Sequence, residues 1–88
     1  IHKRTTRYLR EARSLGLRIR SLREALRWTL EVAAEKCDLD LKHLQKIESG
    51  QLNITLVTLV RISVGFRQPI AVLFGAPPAE PKAKRSPG

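Results

Sequence analysis

The sequence predicts an all-α fold, one domain of four to five short helices, and three observations lead there. Apolar residues recur at helical spacings of three and four. Cap-forming side chains stand ahead of the apolar runs, with glycine or aspartate behind them. No stretch alternates apolar and polar residues as a half-buried strand does. At 88 residues the chain holds one small domain with a limited core.

Leu9, Ala12, Leu15, Ile19, Leu22 and Leu26 form one stripe of an amphipathic first helix. Thr6 is its expected cap. Gly16 costs about 1 kcal/mol relative to alanine inside a helix, so the helix either runs through it or breaks near Ser14–Gly16. The arginines fall largely off the stripe and form a basic outer face. Thr29 caps a second helix, Leu30 to Lys36, with Glu31 favourable in its first turn.

The stretch "CDLD" makes a tight turn, in which Asp38 tolerates the left-handed conformation better than most residues. Asp40 caps a third helix, Leu41 to Glu48, which Gly50 ends. Thr55 caps a fourth helix reaching about Gly65. Pro69 opens a last short one at its tolerated first position, with Gly75 beyond its end. The expected core is Ile19, Leu22, Leu26, Ala34, Cys37, Leu39, Leu44, Ile47, Leu56, Leu59, Ile62, Phe66, Leu73 and Phe74. Trp28 is expected to pack beside the first helix, and Cys37 to act as a small buried hydrophobe.

Composition narrows the function. A single cysteine rules out an internal disulfide framework, and with only His2 and His43 beside it a structural zinc site lacks ligands. Glu31 and Glu35, four apart, read as a solvated helix face, and neither a phosphate-cradling glycine loop nor a nucleophile motif is present, so no enzyme and no cofactor is expected. No apolar run could span a membrane, no signal-peptide pattern is visible, and a cytoplasmic setting is expected. The chain begins at Ile1, as a fragment or processed product would.

The net charge of +9 is placed unevenly. Residues 1–27 carry nine basic against two acidic side chains, residues 28–75 balance five against five, and residues 76–88 carry three against one. Such a distribution is the footprint of a polyanion partner. Residues 1–14 are read as a basic N-terminal arm, either separate or helical and continuous with the first helix, 15–75 as the helix-turn-helix domain, and 76–88 as a disordered Pro/Lys-rich tail or linker.

Two short helices about a four-residue turn describe a helix-turn-helix. From Leu15 to Phe74 the chain resembles the lambda-repressor-like (Cro/C1, Xre) helix-turn-helix family of DNA-binding regulators. "LGLRIRSLREAL", "WTLEVAAEKCDLDLKHLQKIESG", "NITLVTLVRI" and "IAVLF" carry the likeness in order and spacing. It implies that Ala34 lets two helices approach, that Leu44 and Ile47 are buried on the recognition helix, and that Arg23 and Glu48 form a partly buried ion pair. The chain departs from the family at Leu30 (usually Gln), Ala33 (usually Leu), Asp38 (usually Gly) and Asp40 (usually Ser or Thr). A carboxylate at Asp40 repels phosphates unless it accepts from a cytosine amino group.

The resemblance implies base reading by Lys42, Gln45, Lys46 and Ser49. It also implies phosphate contacts from Thr29, His43, Gln51 and Asn53, joined by the arm residues Arg4, Arg7 and Arg10; packing is the other reading for His43 and turn chemistry for Asn53. The expected function is a sequence-specific regulator of double-stranded DNA, of bacterial or phage type, and a repressor because nothing resembles an activation surface. The alternative is a helix-turn-helix scaffold that binds and modulates another regulator, or an antitoxin-type partner. Val57, Val60 and Val64, with Ile70 or Val72 nearby, suggest an exposed apolar patch and a homodimer; a wider core is the competing reading.

Overall fold

The computed structural model describes residues 6–51 and 53–77, and Arg4, His2 and the 78–88 tail lie outside them. Five helices and no strand occur among the described residues: α1 (Thr6–Ala25), α2 (Leu30–Lys36), α3 (Leu41–Glu48), α4 (Leu56–Phe66) and α5 (Ile70–Leu73). The caps act where the sequence places them. Thr29 accepts from the Val32 amide at 3.1 Å, Asp40 from Lys42 at 3.2 Å and Thr55 from Thr58 at 3.2 Å. Thr6 is the first helical residue of α1, not its cap, and Pro69 stands one position before α5 at its N-cap.

Gly16 does not break α1. It is buried where α1 crosses the end of α3: a Cβ there would lie 2.5 Å from the carbonyl oxygens of both Ile47 and Glu48. Close approach explains the glycine in a helix interior. Gly65 does the same for α4 against α2, since its Cβ would meet the Cys37 sulfur at 2.5 Å.

All five helices stop in one way. The residue after each last turn takes a left-handed φ, namely Arg27 (60°), Asp38 (57°), Gly50 (77°), Arg67 (57°) and Gly75 (109°). The amide that follows each of these reaches back five residues: Trp28 to Arg23, Leu39 to Ala34, Gln51 to Lys46, Gln68 to Ser63 and Ala76 to Ala71, at 2.8–3.1 Å. These are Schellman ends, which satisfy carbonyls the helix leaves open. Composition foretells those at Gly50, Gly75 and Asp38. Those at Arg27 and Arg67 sit on residues that favour this conformation poorly.

The core joins Leu15, Ile19, Ala33, Ala34, Cys37, Leu44, Ile47, Ile62, Phe66 and Leu73, with Leu22, Leu39 and Leu59 partly buried against it. Three expected members are outside. Leu26 follows the end of α1, where the turn carries it off the stripe, and Phe74 follows the end of α5; both are exposed. Leu56, 67% exposed, opens α4 on the opposite side from Thr58, Ile62 and Phe66. Thr58 and Ser63 take buried places on α4 because their hydroxyls are satisfied locally, by Thr55 Oγ1 at 3.1 Å and the Val60 carbonyl at 2.9 Å. Trp28 stacks on Phe66 of α4, ring centroids 5.4 Å apart, with the Lys36 ammonium 5.6 Å from its ring. Cys37 is buried, and burial pushes its thiol pKa up to about 11.

Gly16→Ala is expected to destabilise the protein by about 1–3 kcal/mol through overpacking against backbone, despite a gain of about 1 kcal/mol in helix propensity. Urea unfolding of the two proteins measures it; a midpoint at or above the parent's would mean α1 and α3 are further apart than described.

Candidate nucleic-acid interface

The helix-turn-helix is α2, the turn 37–40 and α3. Ala33 and Ala34 are both buried on α2 and belong to the core. Leu30, at the first position of α2, packs partly buried against the core. Asp38 gives the turn its left-handed residue, and its carbonyl accepts from Arg61 Nη1 of α4 at 3.4 Å.

On α3, Leu44 and Ile47 face inward while Lys42, Gln45 and Lys46 are exposed in a row, followed by exposed Ser49 at the C-cap. The Ser49 hydroxyl donates to the Lys46 carbonyl at 3.0 Å. His43 is half-buried, consistent with packing on the flank of the row. One oxygen of Asp40 is occupied by the Lys42 amide, so its carboxylate serves the helix start. Thr29, Gln51 and Asn53 are exposed around α3. The Thr29 oxygen already accepts from Val32, leaving its hydroxyl hydrogen for an outside acceptor.

Position and angle of α3 come from α1. Arg23 holds Glu48, the last residue of α3, with two parallel bonds: Nε to Oε2 at 2.7 Å and Nη2 to Oε1 at 3.1 Å. Its Nη1 donates to the Trp28 carbonyl at 2.9 Å. The two side chains are only 11% and 8% exposed. The hydrogen bond to Glu48 raises the Arg23 pKa above its ordinary value, against the opposing effect of burial.

Arg7, Arg10 and Arg13 are exposed on the first half of α1. Three contacts escape the sequence because they join residues 23–58 positions apart, with no local signal: Arg61 to the Asp38 carbonyl, Tyr8 to Asn53, and Arg18 to the last helix. The Tyr8 hydroxyl donates to Asn53 Oδ1. Arg18 donates to the carbonyls of Val72 and Ala76 at 3.0 and 2.9 Å, closing the end of α5.

A second surface lies on α4. Val57, Val60 and Val64 are exposed, so they do not widen the core, and Leu56 extends them as a fourth apolar residue. Val72 does not belong to this patch. It is 1% exposed, because α5 turns it inward while its neighbour Phe74 stays outside.

The comparisons agree with this architecture. Residues 19–73 match the profile of the Helix-turn-helix family, of the Cro/C1 type, and the chain belongs to that family. It is a DNA-binding transcriptional regulator. Among solved structures it is similar to the restriction-modification controller protein C.AhdI from Aeromonas hydrophila, with a TM-score of 0.72 and 28% identity over 74% of this chain and 98% of that one. Among curated proteins no significant match is found. No helix among the described residues is long and apolar enough to cross a membrane.

Glu48→Ala leaves Arg23 as a nearly dry, unpaired charge and is expected to cost up to about 3–5 kcal/mol. Urea denaturation reads the loss, and an unfolding midpoint within error of the parent's would mean that the pair is absent in solution.

Proposed function

We propose that the protein is a sequence-specific repressor that inserts α3 into the major groove of double-stranded DNA. The observation that carries this is the outward row Lys42, Gln45 and Lys46 on a helix fixed at its end by Arg23. Gln45 suits the adenine edge, Lys46 a guanine or a phosphate, and Lys42 and Ser49 flank them. Thr29, Gln51 and Asn53 reach the adjoining phosphates, and Arg7 and Arg10 add affinity that is indifferent to sequence. The likeness to C.AhdI, a restriction-modification controller, supports regulation of a similar kind. The protein works as a binding module in the cytoplasm, with no catalytic step and no cofactor.

The alternative of a protein-binding modulator rests on Leu30, Asp40 and the balanced charge of residues 28–75, and the basic arm disfavours it. Both side chains have structural reasons, a core contact and a helix cap, so neither argues against DNA.

Binding-site selection from a random duplex pool tests the reading. The parent is expected to enrich one motif, and Gln45→Ala to relax a single position of it, at a cost of about 1–3 kcal/mol for a bidentate contact. Unchanged motifs for both Gln45→Ala and Lys46→Ala would overturn base reading by α3.

The α4 stripe of Leu56, Val57, Val60 and Val64 supports a two-fold homodimer. Its two recognition helices would meet half-sites about 34–36 Å apart, one DNA turn, and the selected motif would be palindromic. Sedimentation of the parent is expected to give a dimer and of Val60→Asp a monomer; a dimer undisturbed in the variant excludes this surface.

A further inference from the structure

The first half of α1 holds a contact that lies ahead of the family match, which begins at residue 19. Tyr8, Ala12 and Leu15 share one face of α1 and, with Ile47, Ile54 and Phe74, line a groove of about 250 Å³ beside the loop that follows α3. At the rim of this groove the Tyr8 hydroxyl donates to Oδ1 of Asn53.

An asparagine amide has one accepting and one donating end, and a phosphate only accepts. A lone surface asparagine can turn either end toward a phosphate, and half of those arrangements are repulsive. The Tyr8 hydroxyl takes up the accepting end. The Nδ2 group, which makes no hydrogen bond to the described residues, is thereby the end left for an outside acceptor. The exposed Arg7, Arg10 and Arg13 lie on other faces of the same helix, and the charged side chain that lines this groove is Glu11, so the attraction for a phosphate at Asn53 comes from the oriented amide rather than from a neighbouring cation.

We propose that Tyr8 is a positioning residue for DNA: it orients the Asn53 amide to donate to a backbone phosphate, and so makes the α1 extension a fixed part of the interface. The inference rests on the DNA-binding reading above. A neutral donor held in place improves binding to any sequence, and it releases no additional counterion.

The test uses the full 88-residue chain with two labelled duplexes, one of random sequence and one carrying the parent's selected motif, over a salt series. Tyr8→Phe keeps the ring in the groove and removes the hydroxyl. It is expected to bind both duplexes about three- to tenfold more weakly, the range of one net hydrogen bond, with the parent's salt slope. Asn53→Ala is expected to lose about as much, and the double variant no more than either single one. Asn53→Asp still accepts from Tyr8 but has no donor, so it is expected to bind both duplexes more weakly than Asn53→Ala.

Parent-like affinity of Tyr8→Phe, with Asn53→Ala weakened, would overturn the positioning role alone. A flattened salt slope in Tyr8→Phe would also overturn it, because Tyr8 would then serve to hold the arginines of α1. Additive losses in the double variant, or parent-like binding by Asn53→Asp, count against it equally. Failure of the parent to bind either duplex refutes the DNA reading itself.

Discussion

The Arg23–Glu48 pair and the glycine crossing beside it set the frame on which the other contacts of this domain depend. Glu48 closes α3, and Arg23 grips both of its carboxylate oxygens from α1. About two turns earlier on α1, Gly16 lets the helix backbone rest on the Ile47 and Glu48 carbonyls. Together they fix the end of α3 in height and rotation. Such a pair adds little net stability over an apolar one, since both ions lose water, yet it tolerates few alternative geometries. That property suits the proposed role of α3, in which outward residues meet base edges to within a hydrogen bond.

The rest of the frame is made by turns. Each helix ends on a left-handed residue and hands the chain on in a set direction, which lets five short helices close around a core of ten buried side chains. Arg27 and Arg67 take this conformation at some local cost. Packing offsets it: the turn at Arg27 delivers Trp28 onto Phe66, and the turn at Arg67 lets the chain enter α5, whose Val72 and Leu73 are buried.

The basic first quarter of the chain has two kinds of arginine. Arg18 and Arg23 turn inward and spend their donors on the Val72 and Ala76 carbonyls and on Glu48. Arg7, Arg10 and Arg13 remain exposed, and Arg20 pairs with Glu24 on the helix surface. The charge that a polyanion meets is therefore smaller than the sequence total for this segment. It is concentrated on the first half of α1, beside the loop that carries Asn53. Asp40 resolves in the same direction: a carboxylate at the start of α3 is a cap before it is anything else.

Local chemistry made much of this molecule legible from sequence. The bounds of α2 and α3 follow from Thr29 and Asp40, because a cap acts within three residues of its own position. The inward faces of α1 and α3 follow from periodicity, since polar residues on the other side leave one choice. On α4 that choice is lost: Leu56, Val57, Leu59, Val60, Ile62 and Val64 are apolar nearly all round, and only packing decided that Thr58 and Ser63 face in while Leu56 and the valines face out. α5, one turn long, is too short for a period, so Val72 and Phe74 exchanged places. The candidate DNA row on α3 was readable because it lies on a single helix. Tyr8 with Asn53, Arg18 with Ala76 and Trp28 with Phe66 were not, because residues 38–58 positions apart meet only when the chain has folded.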